Sequence, residues 1–164
     1  MFNELRVPRA RAPLVRDAAA RIQERTHTRI RVSKEGEVDL EGEVEGLLLA
    51  GNVLRAVSRG FSVASALVLL DEHLQLAVVP VDGTEKTIQR LLSRVIGRNG
   101  RAKHTIERLA GVQMVVYGKT VAIIGTAEAA ARAAAAVEDL LDGRKHSYVW
   151  AKLEKLRRLD RAEF

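Results

Sequence analysis

The sequence predicts an α+β protein that consists of two tandem β-α-α-β-β-α units, the first of them degenerate, and a C-terminal helix. Two observations support this fold class. Apolar patterns of strand period and of helix period follow one another in the same order in both halves of the chain. Each half also ends a strand with a glycine directly before its last helix, in Val38–Gly42 and in Val121–Gly125. Because 47% of the residues are apolar, the chain can bury a core and is not a disordered tail.

The first unit is predicted over residues 1–60. Its elements are a strand at Leu5–Val7, a helix over Pro13–Thr26, strands at Arg29–Ser33 and Val38–Leu40, and a helix over Glu43–Ser58. The stretch between the first two strands is too short for two helices and a loop. We therefore expect one continuous helix there and no glycine turn. Ser62 then caps a short helix that reaches Leu70, and residues 61–73 are predicted to form a linker.

The second unit is predicted over residues 74–143. Its elements are a strand at Leu74–Val79, a helix over Thr84–Val95, a glycine turn, a helix over Arg101–Ala110, strands at Val112–Tyr117 and Thr120–Ile124, and a helix from Thr126 to about Asp142. Gly111 and Gly143 are natural stops for the last two helices. The inward stripe of the final helix is predicted to be Ala130, Ala134, Val137 and Leu141.

Residues 144–164 are predicted to form a basic amphipathic helix. Its apolar stripe consists of Val149, Leu153, Leu156 and Leu159. Its basic residues lie mostly off that stripe, and they are Lys152, Lys155, Arg157, Arg158 and Arg161. The helix would dock by its stripe and leave the basic face to solvent or to nucleic acid. Trp150 is interpreted as an anchor against the body of the protein rather than as a platform for a base.

The segment with the most specific chemistry runs from Arg94 to Ile106 and contains a Gly-x-x-Gly turn, Gly97 to Gly100. Glycines at this spacing permit a tight turn and let another backbone approach closely. The helix that follows presents free N–H groups and a positive dipole end. Five basic residues surround the turn, and they are Arg94, Arg98, Arg101, Lys103 and His104. This combination favours a phosphodiester backbone, whereas an isolated Gly-x-x-Gly is more often a plain turn between helices.

The distribution of charge supports a polyanionic partner for the second half. Residues 1–82 hold 11 Lys and Arg against 12 Asp and Glu, whereas residues 83–164 hold 16 against 9. The basic excess of the chain, +6 overall, therefore lies with the glycine turn. Aromatic residues make up only 4%, which argues against a protein that stacks a series of bases on aromatic side chains.

The sequence shows no candidate for catalysis. It has no cysteine, its four histidines are scattered without ligand spacing, and no nucleophile lies in a recognisable pattern with a base. We expect no catalytic residue, no metal and no cofactor. The N-terminus lacks a leader pattern and no apolar run is long enough to span a bilayer, so a cytoplasmic protein is expected.

The element order, with Ile96-Gly97-x-x-Gly100 between two helices, Ile106 in the second helix and Gly111 before the next strand, resembles a type I KH domain. Two tandem units with the segment from Val116 to Gly125 resemble more closely the archaeal two-KH RNA-processing proteins. These are counterparts of the eukaryotic small-subunit assembly factor "partner of Nob one". The first unit departs from that family because its loop is shortened and lacks glycines.

The resemblance implies that the second unit grips single-stranded RNA near the 3′ end of small-subunit rRNA. It also implies association with the endonuclease that trims that end, so that the protein positions the nuclease. We expect the protein to act as a monomer. By matched position and by groove geometry, the predicted RNA-binding residues are Arg94, Ile96, Gly97, Arg98, Asn99, Gly100, Arg101, Lys103 and Met114. Replacing both glycines of the turn by Asp is expected to abolish RNA binding and leave the fold intact.

Two alternatives stay open from the sequence. The first unit or the last helix could make the chain a protein-interaction scaffold whose contact with RNA is incidental. The chain could also act on RNA as an enzyme, in which case the pure protein would cleave pre-rRNA. Which face of the strand that contains Met114 forms the base groove is also open, because alternating residues point to opposite faces of a strand.

Overall fold

The computed structural model describes residues 2–162 of the chain. Residue 1 of the predicted first unit and residues 163–164 of the predicted last helix lie outside the described residues. The chain divides into two compact units, residues 1–74 and 75–164. The predicted class, mixed helix and strand with a three-stranded sheet in each half and a C-terminal helix, is confirmed.

The first unit contains one sheet with the strand order β1-β3-β2. Its elements are β1 (Phe2–Arg6), a 3-10 turn (Arg9–Arg11), α1 (Ala12–Thr26), β2 (Arg29–Val32), β3 (Glu37–Glu41), α2 (Val44–Ser58), α3 (Val63–Ala66) and a 3-10 turn (Leu67–Leu70). Both outer strands pair antiparallel with β3, so that Leu5 lies opposite Val38 and Ile30 opposite Leu40. Between β1 and β2 a single helix, α1, follows the 3-10 turn. This agrees with the prediction that the stretch between the first two strands is too short for two helices and a loop.

The segment predicted as a linker packs into the first unit. Ser62 accepts a hydrogen bond from the Ser65 N–H and starts α3 as predicted. Ala66 and Leu69 are fully buried. The Arg11 side chain donates to the carbonyl oxygens of Val57 and Phe61 and so fastens the end of α2. Burial of its apolar residues thus makes this segment part of the first core.

The second unit carries a sheet with the strand order β4-β6-β5. Its elements are β4 (Leu74–Pro80), α4 (Glu85–Ile96), a 3-10 turn (Arg98–Gly100), α5 (Arg101–Ala110), β5 (Gln113–Tyr117), β6 (Thr120–Thr126), α6 (Ala127–Leu141) and α7 (His146–Ala162). β5 and β6 pair antiparallel, with Met114 opposite Ile123. The hydroxyls of Thr84 and Thr126 accept from backbone N–H groups in the first turns of α4 and α6, which explains where these helices begin.

The inward face of α6 is rotated from the predicted stripe. Ala130 and Val137 are buried as predicted, but Ala134 and Leu141 are only partly buried. The remaining buried positions of the helix are Ala133, Ala136 and Leu140. Alanine stands on every face of this helix, so its sequence pattern does not single out one stripe.

The last helix docks by its first half. Val149 and Leu153 are buried in the core of the second unit, whereas Leu159 is 53% exposed. Farther along, Asp160 accepts two hydrogen bonds from the Arg132 guanidinium on α6. This hydrogen bonding and the positive charge of Arg132 lower the pKa of Asp160. Between residues 2 and 162, no helix is both long and apolar enough to cross a membrane.

Candidate nucleic-acid interface

Gly97 adopts a backbone conformation that only glycine occupies readily. It follows α4 with φ 74° and ψ 174°, in a region closed to residues with a Cβ atom. A Cβ atom at this position would lie 2.6 Å from the Ala102 Cβ and 2.8 Å from the Ala102 nitrogen. The absence of a side chain therefore allows the turn to fold directly onto the first turn of α5.

Gly100 has a different role, because its position has room for a side chain. It lies in the left-handed helical region, with φ 75° and ψ 10°, and the preceding Asn99 lies there as well. Asn and Asp are the non-glycine residues that tolerate this region best. A Cβ atom at Gly100 would approach the His104 ring no closer than 3.6 Å, which is an ordinary contact.

This difference corrects the expected outcome of the double Asp substitution. At Gly97 any side chain collides with Ala102, so the turn cannot keep its shape. At Gly100 an Asp is tolerated sterically. Only the second glycine therefore permits a test of RNA binding that preserves the fold.

Arg98 and Arg101 are the exposed cations of the turn. They lie on either side of Asn99 and Gly100, where α5 begins. As a glycine, Gly100 has no side chain with which to cap the helix, so the positive end of α5 is open to an anion. Two guanidinium groups, one helix N-terminus and a turn with no bulky side chain at its ends form a surface suited to phosphate.

Lys103 and His104 are engaged with Glu107. The Lys103 Nζ lies 3.3 Å from Glu107 Oε1, and the His104 Nδ1 lies 3.1 Å from the same oxygen. The second oxygen of Glu107 accepts a hydrogen bond from the Met114 N–H at 3.1 Å. Glu107 thus connects α5 with β5, and it pairs with Lys103, whose side chain is 25% exposed.

Met114 was predicted to line the base groove, and the structure corrects this. Its side chain is only 3% exposed and belongs to the core of the second unit. A side chain in that position offers no surface to a base. The face of β5 that carries Met114 therefore packs into this core.

Arg94, a predicted RNA contact, forms hydrogen bonds within the second unit. Its Nε donates to the Leu140 carbonyl at 3.0 Å, and its Nη2 donates to the Arg144 carbonyl at 2.6 Å. In return, the His146 ring donates through Nε2 to the Arg94 carbonyl at 2.8 Å. We call this set of bonds the Arg94–His146 clasp. It joins the end of α4 to the end of α6 and the start of α7, three residues before Gly97.

A recess lies directly beside the glycine turn and has a volume of about 270 Å³. Its lining residues come from the turn, from α5 and from α7, and they are Gly97, Arg98, Arg101, Ala102, Thr105, His146 and Trp150. Trp150 also packs against the core, as an anchor would. The sequence pattern alone does not place α7 beside the turn. No local signal indicates a contact between residues about fifty positions apart.

The remaining predicted residues are distributed as follows. Ile96 is partly buried at the end of α4, and Asn99 is exposed at the tip of the turn. Among the described residues, no three side chains of His, Asp or Glu form a group that could hold a metal ion. The structure thus brings Gly97, Arg98, Asn99, Gly100 and Arg101 together on one surface and places Arg94, Lys103 and Met114 in other contacts.

Comparison with known proteins places the second unit in a described family. Residues 75–158 match the model of the second KH domain of PNO1, which is described as a eukaryotic type KH-domain (KH-domain type I). A KH domain-containing protein of Methanocaldococcus jannaschii is 39% identical over 119 residues, which are 70% of this chain and 52% of that protein. The chain thus spans about half the length of the curated relatives it matches.

Solved structures resemble the chain over almost its whole length. A protein of unknown function from Aeropyrum pernix superimposes with a TM-score of 0.93 at 34% identity, covering 99% of this chain and 94% of that one. A chain in the crystal structure of the a/eIF2alpha-aDim2p-rRNA complex from Pyrococcus horikoshii superimposes with a TM-score of 0.88 at 30% identity, covering 96% of this chain and 94% of that one.

Proposed function

Because the chain belongs to the PNO1 family of type I KH-domain proteins, we propose that it binds single-stranded RNA through the glycine turn of its second unit. The RNA is the region near the 3′ end of small-subunit rRNA, and the process is maturation of the small ribosomal subunit. The structural relative from the a/eIF2alpha-aDim2p-rRNA complex supports this proposal. In this proposal the chain is a cytoplasmic binding protein and not an enzyme.

The observation that carries the proposal is the phosphate-binding surface at the start of α5. Gly97 brings the backbone of the turn close to Ala102, and Arg98 and Arg101 remain exposed beside it. In KH domains a loop of this type clamps the backbone of about four nucleotides. A single strand fits this surface, because its bases are unpaired and can turn toward the protein while its phosphates lie on the turn.

The first unit supports a second candidate function, a docking surface for a protein. Val44 and Leu48 lie one turn apart on α2 and are 51% and 65% exposed. Large apolar side chains at neighbouring exposed positions are typical of interaction surfaces. The unit also lacks the glycine turn. In this proposal the rRNA-trimming endonuclease docks on the first unit of a monomeric chain, and the second unit holds the RNA.

Two variants at Gly100 test RNA binding with the fold preserved. Asn and Asp are nearly identical in shape and both tolerate the left-handed region, so Gly100→Asn is the matched control for Gly100→Asp. A negative charge about 5 Å from a phosphate costs about 1 to 3 kcal/mol at effective dielectric constants of about 80 to 20. This corresponds to roughly 5- to 150-fold weaker binding.

The measurement is fluorescence anisotropy of a labelled oligonucleotide from the 3′ end of small-subunit rRNA, titrated with the wild type and both variants. Circular dichroism melting checks that both variants fold. We expect Gly100→Asn to bind somewhat more weakly than the wild type, because its side chain lies at the open end of α5. Gly100→Asp should bind much more weakly than Gly100→Asn, because it adds a negative charge in the same position. Equal affinities of the two variants would show that the turn does not contact phosphate.

A further inference from the structure

The recess beside the glycine turn is not needed for binding phosphates at the turn. We propose that it holds one unpaired nucleobase, stacked on Trp150, from a nucleotide next to those gripped by the turn. This rests on the proposed function, because the phosphates of the same strand must lie on Arg98 and Arg101. It adds a base-binding position, formed by the C-terminal helix, to the four-nucleotide grip.

The size and lining of the recess suit one base. Pockets for drug-sized molecules hold about 300 to 1,000 Å³, so a volume of about 270 Å³ fits a single planar ring system rather than a whole nucleotide. Trp150 supplies an aromatic surface on one side. Arg98 and Arg101 also line the recess and supply positive charge for the phosphate attached to that nucleotide.

Trp150 is held in place before any ligand binds. The Arg94–His146 clasp fixes the first turn of α7, and Val149, the neighbour of Trp150, is buried at 1% exposure. The centroids of the His146 and Trp150 rings are 5.7 Å apart, with an interplanar angle of 53°. Because the aromatic side chain is already ordered, little conformational entropy is lost when a base stacks on it.

The scarcity of aromatic residues is compatible with this position. A series of stacked bases needs several aromatic side chains, and the sequence offers few. A single base needs one. Removal of such a stacking side chain weakens binding roughly 5- to 150-fold in proteins that bind single strands. We expect an effect in this range from the loss of Trp150.

Wild-type fluorescence gives the first test, because Trp150 is the only tryptophan of the chain. The probes are a single-stranded rRNA 3′-end oligonucleotide and a series of the same strand in which one position at a time lacks its base. We expect the intact strand to quench Trp150 and one abasic position to abolish that quenching. Binding that leaves the Trp150 fluorescence unchanged would overturn the inference.

Affinity measurements with variants give the second test. Trp150→Leu should bind the intact strand more weakly than the wild type. Its affinity should not fall further when the strand lacks the base that quenches Trp150 in the wild type. Trp150→Phe should retain most of the affinity. Tyr148→Leu is the matched control, since Tyr148 lies on the same helix and is 48% exposed but does not line the recess. If Trp150→Leu fails to fold, Trp150→Phe and the wild-type abasic series decide the question.

The results separate this inference from the proposed function. Binding that is lost in Gly100→Asp but does not depend on Trp150 or on any single base would overturn the recess as a base site and leave the phosphate clamp standing. Absence of binding by the wild type, or equal binding by the two Gly100 variants, would overturn the clamp and the base site together.

Discussion

Replacing Gly97 by alanine should destabilise the second unit far more than the same replacement at Gly100. Both glycines have positive φ angles, but only Gly97 combines this with an extended ψ of 174° and a neighbour inside van der Waals distance. A residue forced into such a conformation costs about 1 to 3 kcal/mol. At Gly100 the left-handed conformation costs alanine about 1 kcal/mol, and no collision adds to it.

The collision adds to the strain at Gly97. A new Cβ atom would lie 2.6 Å from the Ala102 Cβ, so α5 must shift by several tenths of an ångström or the turn must open. Overpacking of this kind costs about 1 to 3 kcal/mol. We therefore expect the free energy of unfolding to fall by about 3 kcal/mol for Gly97→Ala and by about 1 kcal/mol for Gly100→Ala. At about 4 to 8 °C per kcal/mol for a domain of this size, the melting temperatures should fall by roughly 12 to 24 °C and 4 to 8 °C.

Urea unfolding followed by tryptophan fluorescence measures this directly, because Trp150 lies in the second unit and reports on that unit alone. Thermal unfolding by circular dichroism gives the melting temperatures. Equal losses of stability for Gly97→Ala and Gly100→Ala would refute the reasoning, since they would mean that the turn accepts a side chain where the geometry leaves no room for one.

Two further predictions concern the arginines around the turn. Arg94→Lys keeps the charge, but an ammonium group lacks the planar set of donors with which the guanidinium binds two carbonyls. It should therefore lower the free energy of unfolding, measured in urea, by about 1.5 to 3 kcal/mol. The control Arg90→Lys, at an exposed position of the same helix, should leave the free energy of unfolding almost unchanged. An equal loss of stability at both positions would argue against the Arg94–His146 clasp. Arg98→Gln and Arg101→Gln should each reduce the salt slope of RNA binding by about 0.7. The control Lys86→Gln, at the other end of α4, should leave the salt slope unchanged. If the slope is unchanged in all three variants, neither Arg98 nor Arg101 contacts a phosphate.

The features that depend on local chemistry could be predicted from the sequence. A threonine before a helix accepts a hydrogen bond from the first turn, and Thr84 and Thr126 start α4 and α6 in this way. Gly111 ends α5 in the left-handed conformation that favours glycine. The glycine turn between α4 and α5 is predicted by the same kind of signal, because two glycines and the basic residues around them lie within a few positions of one another.

The features that depend on tertiary packing could not be predicted. The contacts of Arg94 join it to Leu140 and Arg144, which are 46 and 50 residues away. Its charge and its position beside the turn were equally compatible with contact to RNA. Met114 shows a second limit, since alternation along a strand divides residues between two faces but does not say which face is covered.

The clasp has a consequence for the extent of the second domain. The six-element order ends with α6, but Val149 and Leu153 of α7 complete the same hydrophobic core as Ile106. A fragment that ended after α6 would expose this core and remove the Arg144 carbonyl that holds Arg94. The cooperative folding unit therefore contains seven elements. Proteolytic loss of the last helix would then distort a turn that lies some fifty residues earlier in the chain, and a nucleic acid held at that turn would slow amide exchange along α7.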